Sequence, residues 1–176
     1  MDIFAHSLWS GFIFNKSKNI FWPIFFGITP DIFGFLVNAI VSLIYNIPLM
    51  DQTRQHFNQQ ILGHVFVLYG LTHSLVIFAA VFLAVWVARK KMFLPLLAWG
   101  IHIVFDIPFH SAEFSPTPFL FPVSSFKFPG LAWSNSYLVI INYSVLGILY
   151  LAFFILKNKK RRLAKYLAEK RKIIKR

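Results

Sequence analysis

Asn135-SYLVIINYSVLGILYLAFFI-Leu156 is an uninterrupted apolar stretch, and Lys157-NKKRRLAKYLAEKRKIIK-Arg176 follows it directly. About 20 apolar residues are enough for a helix to cross a ~30 Å hydrocarbon core. The first stretch carries no charged residue, so it reads as a membrane span. The second reads as its basic flank. Such a flank stays on the cytoplasmic side of a membrane. Leu163, Tyr166, Leu167, Ile173 and Ile174 punctuate the basic run, which suits a juxtamembrane helix against anionic lipid. A plain topology anchor is the simpler account of the same residues, and a nucleic-acid or partner-binding role is a weaker one. No nucleic acid is expected.

The rest of the chain belongs to the same class. Of 176 residues, 57% are hydrophobic and 14% are charged, where a soluble domain carries about 25% charged residues. That polar surface is too small to cover a soluble globule. The net charge of +12 would point to nucleic acid if it were spread over a domain. Here it sits in the tail and in two short loops. The chain has no cysteine, which excludes disulfides and thiolate metal sites. The first apolar segment lacks a basic flank and a small-residue cleavage site and carries Asp2, so it is expected to stay in the protein.

Working back from the tail, residues 92–109, 61–88 and 19–47 read as further spans. Residues 3–14 form a short helix, too short to cross alone. The polar stretch 48–60 and the Pro/Phe/Ser-rich stretch 110–133 read as loops. The expected fold is all-α: a polytopic membrane helix bundle of about four spans, with a short N-terminal helix and a basic C-terminal juxtamembrane helix. Residues 1–156 form one integral membrane domain and 157–176 a cytoplasmic tail. Threading the spans from a cytoplasmic tail puts every Lys and Arg inside except Arg54 and Lys127. The opposite orientation reverses that distribution, so the positive-inside rule selects an inner (plasma) membrane protein with a cytoplasmic C-terminus.

Ionisable residues inside apolar segments are costly and face a protein interior or a wet cavity. This chain has His6, Asp31, His73, His102, Asp106 and, at a span end, His110. His102, Asp106 and His110 are spaced four and four, which places them on one helical face. Imidazole and carboxylate are the ligand types of divalent zinc, iron and manganese. A His102–Asp106 hydrogen bond that serves packing is the competing account. Pro108 has the means to kink the helix and re-aim His110. Asp31 follows Thr29-Pro30, an N-cap and first-turn pattern, so a new helix is expected to begin there within the membrane domain. His73, with Tyr69 one turn earlier, would on its own more often be a satisfied core residue than a ligand. His6 is ambiguous alone. His56 and His64 are set aside, the first as a loop residue and the second because it points half a turn away from His73. The threaded topology brings His6, His73 and His102 to His110 to the outer half of the membrane and Asp31 near mid-depth.

Ala5-His6, Gly27-Ile-Thr-Pro-Asp31, Leu71-Thr-His73-Ser and His102-x-x-x-Asp106 with a Pro/Phe-rich loop after it occur in that order. Over roughly residues 1–133 this resembles the bacterial family of membrane-bound metal-dependent hydrolases. The resemblance implies an inner-membrane protein with a zinc-type hydrolase site. The chain departs from that pattern at Phe33, where the family often has a second Asp, and at Leu68-Tyr69, where it often has His-Arg. His110 extends the His-x-x-x-Asp motif. These departures favour one metal over two.

The expected activity is hydrolysis at the outer membrane face. His73, His102 and Asp106 would hold a divalent metal, zinc foremost, with Asp31 or His6 completing the shell. His110 or Glu113 would act as general base. Phe114, Phe119, Phe121, Phe126, Phe128 and Trp133 would form a lid for a lipid-like or phosphoester substrate, or equally an interfacial aromatic belt. The alternatives are a small transporter or proton pathway using the same residues, and a scaffold without chemistry.

Overall fold

The computed structural model describes residues 1–45, 67–112 and 116–174. The expected outer loop at 48–60, with His56, lies outside the described residues, as do His64, Glu113 and Phe114. Most of the described residues are helical, and among them the one β feature is an isolated bridge between Ser111 and Gly130. The chain divides into two compact units, Met1–Asn135 and Ser136–Arg176.

Helix α1 (Ile3–Ile13) starts where the Asp2 carboxylate accepts from the Phe4 and Ala5 N–H groups, 3.0 Å each. Helix α2 (Phe21–Tyr45) starts beside Asn19, whose side-chain oxygen accepts from Phe21 N–H. It then runs straight through Pro30. The expected new helix at Thr29-Pro30 is therefore absent. Thr29 does not cap; its hydroxyl donates back to the Phe25 carbonyl, 2.5 Å away. Serine and threonine satisfy themselves this way inside a helix. Pro30 gives up one backbone bond, and its ring is fully buried.

The break falls elsewhere. Helix α3, described over 67–72, stops at His73. Ser74 then caps α4 (Leu75–Arg89), its hydroxyl oxygen accepting from Val76 and Ile77 N–H. The 61–88 stretch is thus two helices rather than one, because Ser74 offers an N-cap that a continuous helix would waste. Lys90 ends α4 in the left-handed region, with φ 51°. A 3₁₀ turn (Leu94–Leu96) leads into α5 (Leu97–Phe109), which also continues through its proline, Pro108, and ends at the extended residue His110.

Within the first unit α2 packs on α1 and α5, and α4 packs on α5. Gly27 allows the α1–α2 approach: a Cβ there would lie 2.0 Å from Ser10 Oγ. Trp22, Phe26 and Phe93 form an aromatic cluster with Arg89 stacked 4.9 Å over Phe93. The start of α2 and the end of α4 therefore share one end of the unit, with Arg89, Lys90 and Lys91 there. The stretch 116–131 folds back on the other end: Leu75 N–H donates to Phe119 O, Ser74 Oγ–H to Phe121 O and Leu131 N–H to Pro108 O.

The unit is polar inside and apolar outside. His6, Ser10, His73, Ser74, His102, Asp106 and Thr117 are buried, against Ala5, Leu96, Ala98 and Ile103 among apolar residues. Phe4, Ile32, Phe33, Leu83, Val87 and Val104 are exposed.

The second unit is α6 (Ser136–Ile174), 39 residues without a break. Its Ser136–Ala168 portion is, among the described residues, the one helix long and apolar enough to cross a membrane. By that criterion one span stands against the four expected. Ile3–Ile13, Leu75–Arg89 and Leu94–Phe109 are apolar but shorter. The expected domain boundary at 156/157 falls inside α6, so the basic tail is the continuation of that helix rather than a separate element.

Candidate metal centre

Four elements deliver the buried polar residues to one point: His6 from α1, Asp31 from α2, His73 from the α3–α4 break, and His102 and Asp106 from α5. One ligand atom each from His6, Asp31, His102 and Asp106 lies within 4.8 Å of the other three. His73 joins them, its Nε2 3.3 Å from His102 Nε2, 3.7 Å from Asp106 Oδ2 and 3.9 Å from Asp31 Oδ1. His102 Nε2 is 3.1 Å from Asp106 Oδ2 and 3.6 Å from Asp31 Oδ1.

The outer contacts decide which ring nitrogens face inward as acceptors. His102 Nδ1 is 2.7 Å from the Gly27 carbonyl. A carbonyl only accepts, so Nδ1 carries the proton and, in the neutral ring, Nε2 presents a lone pair. The Thr72 hydroxyl lies 3.2 Å from both the Leu68 and Tyr69 carbonyls. Its proton is spent there, and its oxygen accepts from His73 Nδ1–H at 2.9 Å. The Nε2 of His73 is then also a lone pair. With both rings neutral, two such lone pairs and two carboxylates converge, and among the described residues Oδ2 of both Asp31 and Asp106 lacks a partner of hydrogen-bond geometry. A protonated His102 would turn its 3.1 Å contact with Asp106 Oδ2 into an ion pair.

Acceptors facing acceptors in a buried pocket are unfavourable without a cation or a proton between them. Zinc–ligand bonds of about 2.0–2.1 Å imply ligand–ligand edges of about 3.3 Å in a tetrahedron. The distances among His73, His102, Asp31 and Asp106 lie near or somewhat above that edge. The donor set thus fits a divalent metal. His6 reaches the other oxygen of Asp106, with Nε2 3.0 Å from Oδ1, and its ring stacks on His102 at 3.7 Å. The N-terminal amine contacts the same oxygen.

His110 keeps its connection to the cluster after leaving the helix. Its Nδ1–H donates to the Asp106 carbonyl, 3.1 Å away, and its Nε2 is left for other work. Burial lowers its imidazole pKa below the ordinary value, against the opposing pull of Asp106, so the ring is neutral at pH 7. The side chains of Asp31 and His110 are 24% and 14% exposed, while those of His6, His73, His102 and Asp106 are at most 2% exposed. The cluster therefore reaches the surface of the unit at Asp31 and His110.

All five expected ligands and His110 are brought together; Glu113 lies outside the described residues. The sequence reading missed the Gly27 carbonyl, Thr72 and Ser74. Ser74 had a visible signal, since a serine immediately before an apolar helical run is an N-cap pattern. The Gly27 carbonyl had none. Comparison with protein-family models, curated proteins and solved structures finds no match for this chain.

Proposed function

We propose that the chain is a lipid-embedded, metal-dependent hydrolase whose centre is held by His73, His102, Asp31 and Asp106. The observation that carries this reading is the convergence of two inward Nε2 lone pairs, 3.3 Å apart, on two carboxylates whose Oδ2 atoms are buried and, among the described residues, unpartnered. A structural His–Asp pair needs one donor and one acceptor. This cluster has acceptors in excess. A divalent ion held there with one coordination position left for water, as a catalytic zinc with three protein ligands or a five-coordinate one has, would acidify that water to a pKa of ~7 and polarise a phosphoryl or carbonyl oxygen. Zinc suits the two-nitrogen, two-carboxylate set best. His6 holds Asp106 through its outer oxygen, and Gly27 holds His102 through its carbonyl, the supporting contacts that orient metal ligands. His110, neutral and partly exposed at the edge of the cluster, would serve as the base that takes the proton from the attacking water and returns it to the leaving group. The resemblance to membrane-bound metal-dependent hydrolases agrees with this assignment.

The polar interior and apolar exterior of the Met1–Asn135 unit support lipid around it. We place α2, α4 and α5 in the bilayer together with α6, a multi-pass arrangement. Helix α4, at about 22 Å, is short for a ~30 Å core and is accommodated by local thinning. The positive-inside rule, applied to Lys16, Lys18, Arg89 to Lys91 and the tail, puts those residues in the cytoplasm of a plasma membrane. The first basic turns of α6 then meet anionic headgroups.

The test is the metal content of protein purified in mild detergent, wild type beside His102→Ala. About one divalent ion per chain in the wild type, absent from the variant, is expected. A wild-type protein that binds no metal sinks the hydrolase.

A further inference from the structure

Beside the cluster lies a pair of hydroxyl groups that the metal centre does not use. The Tyr69 ring stacks on His73 at 4.1 Å and stands 6.5 Å from the His110 ring. Its hydroxyl is buried and, among the described residues, meets no strict hydrogen-bond geometry, and the same holds for that of Thr117. Thr117 is 1% exposed. Tyr69 also interacts with the Thr117 hydroxyl and is within electrostatic reach of Asp106 and Asp31; a bond between the two hydroxyls uses one of their two protons and leaves the other for a further acceptor.

Their placement is built, not incidental. The bonds from Ser74 Oγ–H to Phe121 O and from Leu75 N–H to Phe119 O pin the 116–121 stretch onto the α3–α4 break. Gly70 leaves room for the Phe121 ring, which a Cβ would meet at 3.0 Å. These contacts bring Thr117 to Tyr69 from almost fifty residues away. Buried hydroxyls left unpaired are costly, and their recurrence at one place calls for an absent partner.

Around the cluster, imidazole lone pairs and carboxylates supply acceptors. The hydroxyls supply donors. A carbonyl substrate presents one oxygen, and the metal would take it, leaving both hydroxyls idle. A phosphoryl group presents three non-bridging oxygens and no donors, enough for the metal and both hydroxyls. We infer that Tyr69 and Thr117 bind the phosphoryl oxygens of a phosphate ester held at the metal centre. This rests on the proposed function and names its substrate class.

The test is calorimetric binding of inorganic phosphate to the zinc-loaded protein in detergent. Wild type is compared with Tyr69→Phe, Thr117→Val and the double variant, with metal content read in parallel. Each substitution removes a hydroxyl and keeps the shape. The expected result is unchanged metal content, an unchanged or raised unfolding temperature, and phosphate affinity about tenfold weaker per hydroxyl lost, as for hydrogen bonds to charged groups. Acetate affinity is expected to fall less than phosphate affinity. Equal phosphate affinity in all four proteins, with metal retained, overturns the hydroxyl subsite and leaves the metal centre standing. An equal fall for acetate overturns the phosphoryl assignment. A wild type without metal or phosphate binding overturns both readings. Displacement of phosphate by short-chain phosphatidic acid but not by glycerol phosphate assigns the ester to a lipid headgroup; the reverse assigns it to a soluble ester.

Discussion

Asp106 is the residue through which the other candidate ligands are tied together. One of its oxygens meets His6 and the other faces His73 and His102. Replacing it with Asn keeps the shape and removes the charge, so Asp106→Asn is expected to lose stoichiometric metal. His6 acts on the far oxygen, and His6→Gln is expected to weaken metal affinity about 10–100-fold without abolishing it, the usual effect of a supporting contact. Complete loss in His6→Gln, measured by competition with a chelating dye, would make His6 a direct ligand instead. Gly27 works through its backbone. A Cβ there would meet Ser10 Oγ at 2.0 Å and Cβ at 2.9 Å, so Gly27→Ala is expected to cost about 1–3 kcal/mol in unfolding. It also disturbs the carbonyl that holds His102. Ser10→Gly removes both clashing atoms and is expected to restore stability in the double variant. A double variant no more stable than Gly27→Ala would refute that account. At this scale the sequence was informative where ligands share a helix, as His102 and Asp106 do. His6 and His73 stayed ambiguous because their partners are a hundred and about thirty residues away, and no local pattern encodes such contacts. Tyr69 was noticed only as a neighbour of His73, and Thr117 not at all. An orphaned hydroxyl is a property of packing.

Two prolines and one serine show how elements are set against each other. The Thr29-Pro30 pair carries a helix-start pattern, and the structure overrides it because Thr29 bonds back to Phe25 and the Pro30 ring is buried. Ser74 carries the weaker-looking signal and does break the chain. The difference lies in what each hydroxyl finds nearby. Ser74 accepts from two N–H groups of the helix it caps and donates to Phe121, and the last of these contacts exists only because the 116–131 stretch folds back. Ser74→Ala loses all three and is expected to destabilise the protein by about 1 kcal/mol or more, the typical value of an N-cap. It is also expected to weaken metal binding by freeing His73, while Ser74→Thr keeps the hydroxyl and both properties. Unchanged stability and metal affinity in Ser74→Ala would refute a structural role for the break. Gly130 closes the same loop: a Cβ there would stand 2.5 Å from the Pro108 carbonyl oxygen.

At the scale of the molecule, the described residues of the Met1–Asn135 unit have polarity inverted relative to a water-soluble fold, and this follows from one constraint. Buried His and Asp residues must face one another if the outside is hydrocarbon. Composition carries the expectation of that class, and the charge distribution carries the direction proposed for it. The number of crossings was not legible to the same degree, because hydropathy counts apolar residues without seeing where Ser74 or the Leu94–Leu96 turn divides them. Topology is therefore the quantity to measure, and the absence of cysteine makes it accessible. Ser125 and Lys165 are both exposed, one in the 110–133 stretch and one in the basic half of α6. Single cysteines placed at each report their side of the membrane to an impermeant maleimide. With the basic residues inside, Ser125→Cys is expected to label in intact cells and Lys165→Cys only after permeabilisation. Labelling of both in intact cells, or of Lys165→Cys alone, would overturn the orientation. It would also move the face at which Asp31 and His110 meet water, and with it the side from which a substrate has to arrive.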